Sequence, residues 1–178
     1  MHGNSTDKLH YPIGDYVATT SYNASDVKHR INIIRNFYNE LIAEVANLNE
    51  AQLNSTYRDG GWTIRQVVHH CADSHMNGLI RLKLALTEDK PTIKPYPEQL
   101  FAELADSKTE PIESSLQIIN GVHTRLTSLL NSMSEADFNK SYIHPQYQKQ
   151  FFMFDFLGLY AWHCQHHLAH IKLAKQNF

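Results

Sequence analysis

Apolar residues recur at spacings of three and four in four separate stretches of this chain. The first stretch, from about Ser25 to Leu48, carries apolar side chains at Val27, Ile31, Ile34, Tyr38, Leu41, Val45 and Leu48. This spacing places one side chain per turn on the same face of an α-helix. The other stretches run from about Thr63 to Leu86, from Pro111 to Met133 and from Met153 to Lys175. Four amphipathic helices of about twenty residues predict an all-α fold, a four-helix bundle.

The second helix has the clearest beginning. In "GGWTIRQVV", Thr63 can accept a hydrogen bond from the backbone of Gln66, and the Gln66 side chain can reach back to Thr63. Trp62 and Val67 flank this capping box at the positions of a hydrophobic staple. Pro111 similarly suits the first turn of the third helix.

The segment from about Thr87 to Glu110 is a long connection between the second and third helices. It contains Pro91, Pro95 and Pro97, so it cannot be one continuous helix, although "EQLFAEL" could form a short one. A connection of this length allows the chain to cross the bundle. No convincing strand pattern is present; "QKQFFMF" is a brief segment that could be extended, and "YIHP" is interpreted as loop.

Composition excludes several classes of protein. The length of 178 residues predicts one domain, residues 1–178. The net charge of −2 and the lack of a basic stripe argue against nucleic-acid binding, and no apolar run is long enough to span a membrane. The polar N-terminus lacks the apolar segment of a secretory signal. Cys71 and Cys164 lie in predicted helices, which indicates a reduced, cytoplasmic protein in which both act as small buried apolar residues.

Histidines are concentrated in two of the helical stretches. "VVHHCADSHMN" (Val67–Asn77) and "YAWHCQHHLAHI" (Tyr160–Ile171) hold seven of the twelve in the chain. Burying an imidazole ring costs free energy unless the ring finds a partner. These rings are therefore either hydrogen-bonded separately or brought together around one ligand.

A metal ion is one such ligand. His163 and His167 lie four residues apart and share a helix face, as do His166 and His170. Such a pair and a histidine from another helix would provide three protein ligands and leave one position open, which is the arrangement of catalytic zinc. The candidates on the second helix are His69, His70 and His75.

Other interpretations of the histidines remain open. An isolated pair with this spacing is a weak signal, and neither segment has the glutamate that an HExxH protease or a di-iron bundle requires. His69, His75, His166 and His170 also suit hydrogen-bonded or surface roles. His2, His10 and His29 are predicted on the surface, His123 stands alone on its helix, and His144 either lines a site or has no role.

Longer motifs resemble a known family. The chain resembles the YfiT subfamily of the DinB superfamily over nearly its whole length, in the motifs "YPIGDY", "YRDGGWTIRQVVHHCADSHMN", "RLKLALTEDKPTIKPY", "YIHP" and "GLYAWHCQHHLAHI". The resemblance implies up-down-down-up topology and a homodimer. It also implies one divalent metal per chain, zinc or nickel, bound by His70, His163 and His167.

The resemblance implies a metal-dependent hydrolase acting on a small molecule. Relatives that transfer a low-molecular-weight thiol such as bacillithiol suggest an S-transferase as the alternative, and a metal-binding stress protein without turnover is a third hypothesis. Asp73, one turn after His70, is the candidate general base, or it orients a ligand ring. Further polar residues considered for substrate contact are Arg65, Gln66, Arg81 and Tyr96. Arg81 suits a carboxylate, or else a surface salt bridge.

Overall fold

A computed structural model of the protein describes residues 7–178, so the surface position expected for His2 lies outside the described residues. The elements in chain order are α1 (Asp7–His10), α2 (Ala24–Val45), α3 (Glu50–Leu53), α4 (Ile64–Thr87), α5 (Glu98–Phe101), α6 (Ala105–Thr109), α7 (Glu113–Ser132), α8 (Glu135–Phe138), β1 (Ser141–His144), β2 (Lys149–Phe152), α9 (Met153–Ala174) and a final 3₁₀ turn (Lys175–Asn177).

The long helices α2, α4, α7 and α9 form the predicted four-helix bundle. Helix α2 packs against α7 and α9, and α4 packs against the same two helices, so α2 and α4 lie on a diagonal. Two contacts along each helix pair show whether the helices run in the same or opposite directions. Helices α4 and α9 are antiparallel, because His70 contacts His163 and Ser74 contacts Tyr160. Helices α4 and α7 run in the same direction (His69 with Ser115, His75 with His123), as do α2 and α9 (Arg30 with Gly158, and Glu44 with Lys175 just after α9). Helices α4 and α7 are therefore parallel, and the topology is up-down-down-up as expected.

The capping residues predicted from the sequence can be compared with the observed helix ends. Thr63 caps α4, and the side chain of Gln66 accepts a hydrogen bond from the Thr63 N–H over 3.0 Å, which completes the capping box. Asn23 caps α2. Pro111 is an exception: it precedes α7, which begins at Glu113, so the expectation that it opens the first turn is wrong.

A short hairpin corrects the expectation of a chain without paired strands. Strands β1 and β2 pair antiparallel, with Ser141 opposite Phe152 and His144 opposite Lys149. The "YIHP" segment is thus largely strand and not loop. Ile143 also exchanges backbone hydrogen bonds with the long connection, donating to Pro91 and accepting from Ile93. The hairpin and the connection together form one wall beside α4 and α9.

Close packing between α4 and α9 depends on Gly78. A Cβ atom at this position would lie 2.5 Å from the ring of Tyr160, well inside van der Waals contact. The absence of a side chain lets the two histidine-bearing helices approach each other. Within residues 7–178, no helix is both long enough and apolar enough to cross a membrane.

Candidate metal centre and cleft

The two histidine segments meet where α4 faces α9. The Nε2 atom of His163 lies 3.2 Å from Nε2 of His70 and 3.1 Å from Nε2 of His167. The possible ligand atoms of these three residues all lie within 4.8 Å of one another. We call His70, His163 and His167 the open cluster, because their nitrogens border a cavity.

Burial keeps the rings of the open cluster neutral. Desolvation, together with the smaller effect of the His170 charge, lowers the pKa of His70 to about 4. Burial also holds the pKa values of His163 and His167 well below that of an ordinary histidine, and the neighbouring rings act in the same direction. Trp62 contributes by packing on His70 with ring centroids 4.6 Å apart. Neutral imidazole is the form that binds a metal.

A chain of hydrogen bonds fixes the tautomer of His163. Its Nδ1 atom lies 3.0 Å from Nε2 of His75, whose Nδ1 atom lies 2.6 Å from Nε2 of His123. Nδ1 of His123 in turn lies 2.6 Å from the backbone oxygen of Ile34. A carbonyl oxygen can only accept, and a neutral imidazole has one N–H. His123 must therefore donate to Ile34, His75 to His123 and His163 to His75, which leaves Nε2 of His163 without a proton.

His167 is oriented by a second, shorter chain. Nε2 of His170 lies 3.1 Å from the backbone oxygen of His10 and must donate to it. Nδ1 of His170 is then an acceptor, and the nearest donor is Nδ1 of His167 at 3.4 Å. Tyr57 stacks on the His170 ring with centroids 3.9 Å apart and holds it in place. Nε2 of His167 is thus also left without a proton.

These tautomers suit a bound cation. Two proton-free Nε2 atoms, of His163 and His167, lie 3.1 Å apart and present their lone pairs to the same space. Imidazole nitrogens bind zinc at about 2.0–2.1 Å, so tetrahedral ligands lie about 3.3 Å from each other. The spacing of the open cluster is close to this value. The donor set therefore fits a divalent metal with three nitrogen ligands.

A second group of possible ligands lies deeper in the bundle. His75, His123 and Cys164 also lie within 4.8 Å of one another and are all buried; we call them the closed cluster. All four of its ring nitrogens are engaged in the hydrogen-bond chain from His163 to Ile34. Burial raises the pKa of the Cys164 thiol well above its usual range, so the sulfur keeps its proton. No ring nitrogen of this cluster is left free for a metal.

The remaining histidines have separate surroundings. His69 donates from Nε2 to the backbone oxygen of Glu110 at 3.1 Å and has Nδ1 2.7 Å from the Ser115 hydroxyl, so neither nitrogen faces the open cluster. His166, with His167 and His170, forms a third group within 4.8 Å. In that group His170 has both nitrogens engaged, as described above. His10 and His29 are exposed, as predicted.

Two adjoining cavities lie beside the open cluster. The metal lobe, about 380 Å³, is lined by His70, His163, His167, Trp62, Tyr11 and Trp162 among others. The arginine lobe, about 340 Å³, is lined by Arg81, Tyr96, Glu98, Tyr142, His144 and Tyr160 among others. His163, Glu98, Gln99 and Tyr147 line both. The open cluster thus faces a two-lobed cleft with room for a small molecule.

The acidic residue at the cleft is one that the sequence did not single out. Glu98, at the start of α5 in the long connection, is exposed at the rim shared by both lobes, and desolvation there raises the pKa of its carboxyl group. Asp73, the candidate base, is not among the residues lining either lobe, and its carboxyl pKa is raised by burial and by nearby Asp106. Glu98 had no recognisable signal, because a proline-rich connection brings it to the site.

The other candidates for substrate contact divide into two pairs. Arg65 is buried, donates to the backbone oxygen of Glu110 at 2.7 Å and pairs with Glu50. Gln66 completes the α4 cap and donates to the backbone of Ala102. Both stabilise the fold. Arg81 and Tyr96 line the arginine lobe instead. Cys71 and Cys164 are both free and buried.

Comparison with known proteins agrees with this geometry. The family model of the DinB superfamily matches residues 34–171. This chain belongs to the DinB superfamily. A relative from Geobacillus thermodenitrificans, named "Putative metal-dependent hydrolase", is 48% identical over 169 residues, 94% of each chain. YfiT from Bacillus subtilis, which has the same description in its name, is 43% identical over 163 residues, 92% of each chain.

The fold of a solved relative is also similar. The structure of YfiT from Bacillus subtilis, described as a four-helix bundle of unusual topology, superposes with a TM-score of 0.93 at 41% sequence identity. The match covers 96% of this chain and 97% of that one. The resemblance read from the motifs is therefore confirmed, both for the family and for the bundle. The names of the relatives indicate a metal-dependent protein.

Proposed function

We propose that this protein is a metal-dependent hydrolase of a small molecule, with one divalent ion, zinc or nickel, held by His70, His163 and His167. The observation that carries the proposal is the convergence of three Nε2 atoms, two of which are kept proton-free by hydrogen-bond chains ending on backbone oxygens. Three ligands leave a position open toward the cleft. A metal in such a site lowers the pKa of bound water to about 7 and supplies hydroxide at neutral pH.

The chain itself contributes the base and the enclosure. Glu98 borders both lobes, and its raised carboxyl pKa brings it closer to the value of an effective general base at neutral pH. We assign it the role of accepting a proton from the attacking water, in place of Asp73. Trp62 and Trp162 wall the metal lobe and limit the access of bulk water to the reacting atoms.

Thiol transfer is the second candidate function. The cleft has two lobes that both reach His163, which would let a thiol on the metal meet an electrophile bound in the other lobe. A bound cation deprotonates a coordinating thiol outright. This candidate needs no general base, so it differs from hydrolysis in its dependence on Glu98.

One set of assays separates the two functions. Metal-loaded and chelated protein are offered a panel of esters and amides, and separately monobromobimane with a panel of low-molecular-weight thiols. Hydrolysis predicts turnover without thiol that requires metal and falls by about 10²–10⁴-fold in Glu98→Gln. Turnover only with thiol, unaffected in Glu98→Gln, would support the transferase. Bound metal with neither activity would favour the non-enzymatic metal-binding hypothesis.

Other expectations are also proposals at this stage. A homodimer, cytoplasmic location, a single domain over residues 1–178 and the absence of nucleic-acid and membrane partners follow from the resemblance and the composition. Size-exclusion chromatography with light scattering would test the first of these directly.

A further inference from the structure

The arginine lobe holds two buried polar atoms without a protein partner. Nε of Arg81 and Nδ1 of His144 are both inaccessible to solvent, and neither forms a hydrogen bond with any described residue. Both residues line the same cavity of about 340 Å³. A buried donor without a partner costs free energy, and native structures rarely leave such groups unsatisfied. Both nitrogens are covered in this conformation, so a ligand in the cavity would reach them only after a small movement of the two side chains. They are polar groups beside the cavity that the described residues leave without a partner.

Arg81 also forms no direct ion pair with the described residues. None of the ion pairs among residues 7–178 involves this guanidinium group. The surface salt bridge considered from the sequence is therefore absent from the described part of the chain. Glu98 on the same rim forms no ion pair with it, although the charge of Arg81 lowers the carboxyl pKa of Glu98. The guanidinium instead lies near the Tyr96 ring, 5.9 Å from its centroid, which positions the fork at the cavity wall.

We propose that the arginine lobe is a binding site for the carboxylate of the substrate, with Arg81 and His144 as its donors. The guanidinium fork matches the two oxygens of a carboxylate, and a neutral His144 can donate one further hydrogen bond. The rest of the lining includes the aromatic rings of Tyr96, Tyr142 and Tyr160, which can pack against an apolar body.

The charges of the lobe favour a monoanion. Arg81 supplies one positive charge and Glu98, when ionised, one negative charge at the rim. Burial lowers the pKa of His144, and the positive charge of Arg81 lowers it further, so the ring is neutral at pH 7. A phosphate dianion would leave one charge uncompensated in a partly desolvated cavity. Arg81 can compensate the single charge of a carboxylate, and an ionised Glu98 at the rim disfavours a second negative charge.

The position of the lobe also limits the length of the substrate, if the proposed function holds. Arg81 follows His70 by eleven residues on α4, about 16 Å along the helix axis at about 1.5 Å per residue. Side chains on a helix tilt toward its N-terminus, so the guanidinium group of Arg81 lies closer to the open cluster than its backbone does. The reactive bond and the carboxylate are therefore separated by several ångströms, on the order of a five- or six-carbon chain. His163 borders both lobes and lies between the two ends.

The first test needs no metal and no turnover. Hexanoate and its neutral analogue hexanamide are titrated into ¹⁵N-labelled protein while the arginine Nε–H signals are followed by NMR. The Arg81 signal is assigned by its disappearance in Arg81→Gln. Hexanoate should shift this signal, and hexanamide should not. Binding should weaken by at least about tenfold in Arg81→Gln and by a smaller factor in Arg81→Lys, which keeps the charge but not the fork.

Three controls decide the source of any binding. Arg125→Gln removes an exposed arginine on α7 and should leave hexanoate affinity unchanged. The shift of the Arg81 signal should also persist after the metal is removed with a chelator. Hexanoate bound by the metal would instead be released, and the shift would be lost. Equal binding of hexanoate and hexanamide, loss of binding on chelation, or full affinity in Arg81→Gln would overturn the proposal. Thermal melting of each variant excludes misfolding, and Arg81→Lys provides a second variant.

A second arm tests the reach to the metal and separates this inference from the proposed function. Cobalt-loaded protein is titrated with 6-mercaptohexanoate and 6-mercapto-1-hexanol, and the thiolate-to-metal absorption band is recorded. The acid should bind at least about tenfold tighter than the alcohol in the unmodified protein, and equally in Arg81→Gln. Equal affinities in the unmodified protein would contradict the bridging position of the lobe. Lack of the band with either thiol would count against the proposed metal site, and not against the hexanoate result.

Discussion

The open and closed clusters have similar composition and opposite chemistry. Each brings three possible ligands within 4.8 Å; the open cluster is built on α4 and α9, and the closed cluster on α4, α7 and α9. In the closed cluster every ring nitrogen has a hydrogen-bond partner, and the Cys164 thiol keeps its proton. In the open cluster, Nε2 of His163 and Nε2 of His167 retain lone pairs toward a cavity. Proximity of ligand atoms is thus insufficient for a metal site; the position of the protons decides.

The two clusters are also connected. His75 belongs to the closed cluster, and it accepts the Nδ1 proton of His163 in the open one. A metal ligand is usually oriented by the partner of its other nitrogen. The closed cluster therefore serves the open one by holding His163 in the tautomer that can bind a cation.

The largest expected effect follows from removing a ligand of the open cluster. Bound metal should be lost in each of His70→Ala, His163→Ala and His167→Ala, because each variant leaves only two imidazole ligands and binds the ion more weakly. The matched control variants His69→Ala and His166→Ala should largely retain the metal. Elemental analysis of folded, dialysed protein gives the metal content per chain. Loss of metal in the second pair with retention in the first set would show that the ligands are wrongly assigned.

Breaking the link between the clusters should have a smaller effect. In His75→Phe the Nδ1 proton of His163 has no acceptor, and the ring can exchange tautomers or rotate. Metal affinity should fall by about 10–100-fold while the ligands remain. Competition with a chelator measures the affinity, and His29→Phe is the exposed control. Unchanged affinity in His75→Phe would mean that the closed cluster does not orient His163.

The buried rings also predict how stability depends on pH. Burial lowers the pKa of His123 to about 4, whereas an unfolded chain has the ordinary value of about 6.5. Between these values the unfolded state binds more protons, so the stabilisation present above pH 6.5 is lost as the pH falls toward 4. The loss from this residue is up to about 3 kcal/mol. Urea unfolding of chelated protein at several pH values should show it.

A variant without the ring separates His123 from other titrating groups. His123→Phe should have a flatter dependence of unfolding free energy on pH between about 6.5 and 4. A variant with the same slope as the unmodified protein would show that His123 is not held neutral by the fold.

The smallest expected effect is on the metal content of Cys164→Ala. This change removes the sulfur of the closed cluster and leaves every ligand of the open cluster, so metal per chain should stay the same. The free energy of unfolding should fall by roughly 1 kcal/mol, as for many single substitutions of buried residues. Elemental analysis and thermal melting measure the two quantities. A large loss of metal would place an ion in the closed cluster.

The bundle could be predicted because its signals are local. Apolar spacing marked the four long helices, and the Thr63 cap fixed the start of α4. Strand β1 was missed because it has only four residues, with three of them buried, which gives no alternation to detect. Pro111 was placed within α7 because its ring suits a first turn, but the helix begins two residues later.

The closed cluster and the cleft depend on contacts that the sequence does not encode locally. His123 stands alone on α7, and its partner His75 is 48 residues away. The two acceptors that set the tautomers are backbone oxygens, of Ile34 and His10, which any residue type would provide. Glu98 and His144 reach the cleft through the long connection and the hairpin. These features follow from tertiary packing and not from residue type.

The most direct test is a crystal structure of the protein as purified, with anomalous diffraction recorded above and below the absorption edge of the metal it contains. The account predicts one peak per chain, about 2.0–2.1 Å from the Nε2 atoms of His70, His163 and His167. A peak among His75, His123 and Cys164, or no peak in protein that elemental analysis shows to contain metal, would contradict it.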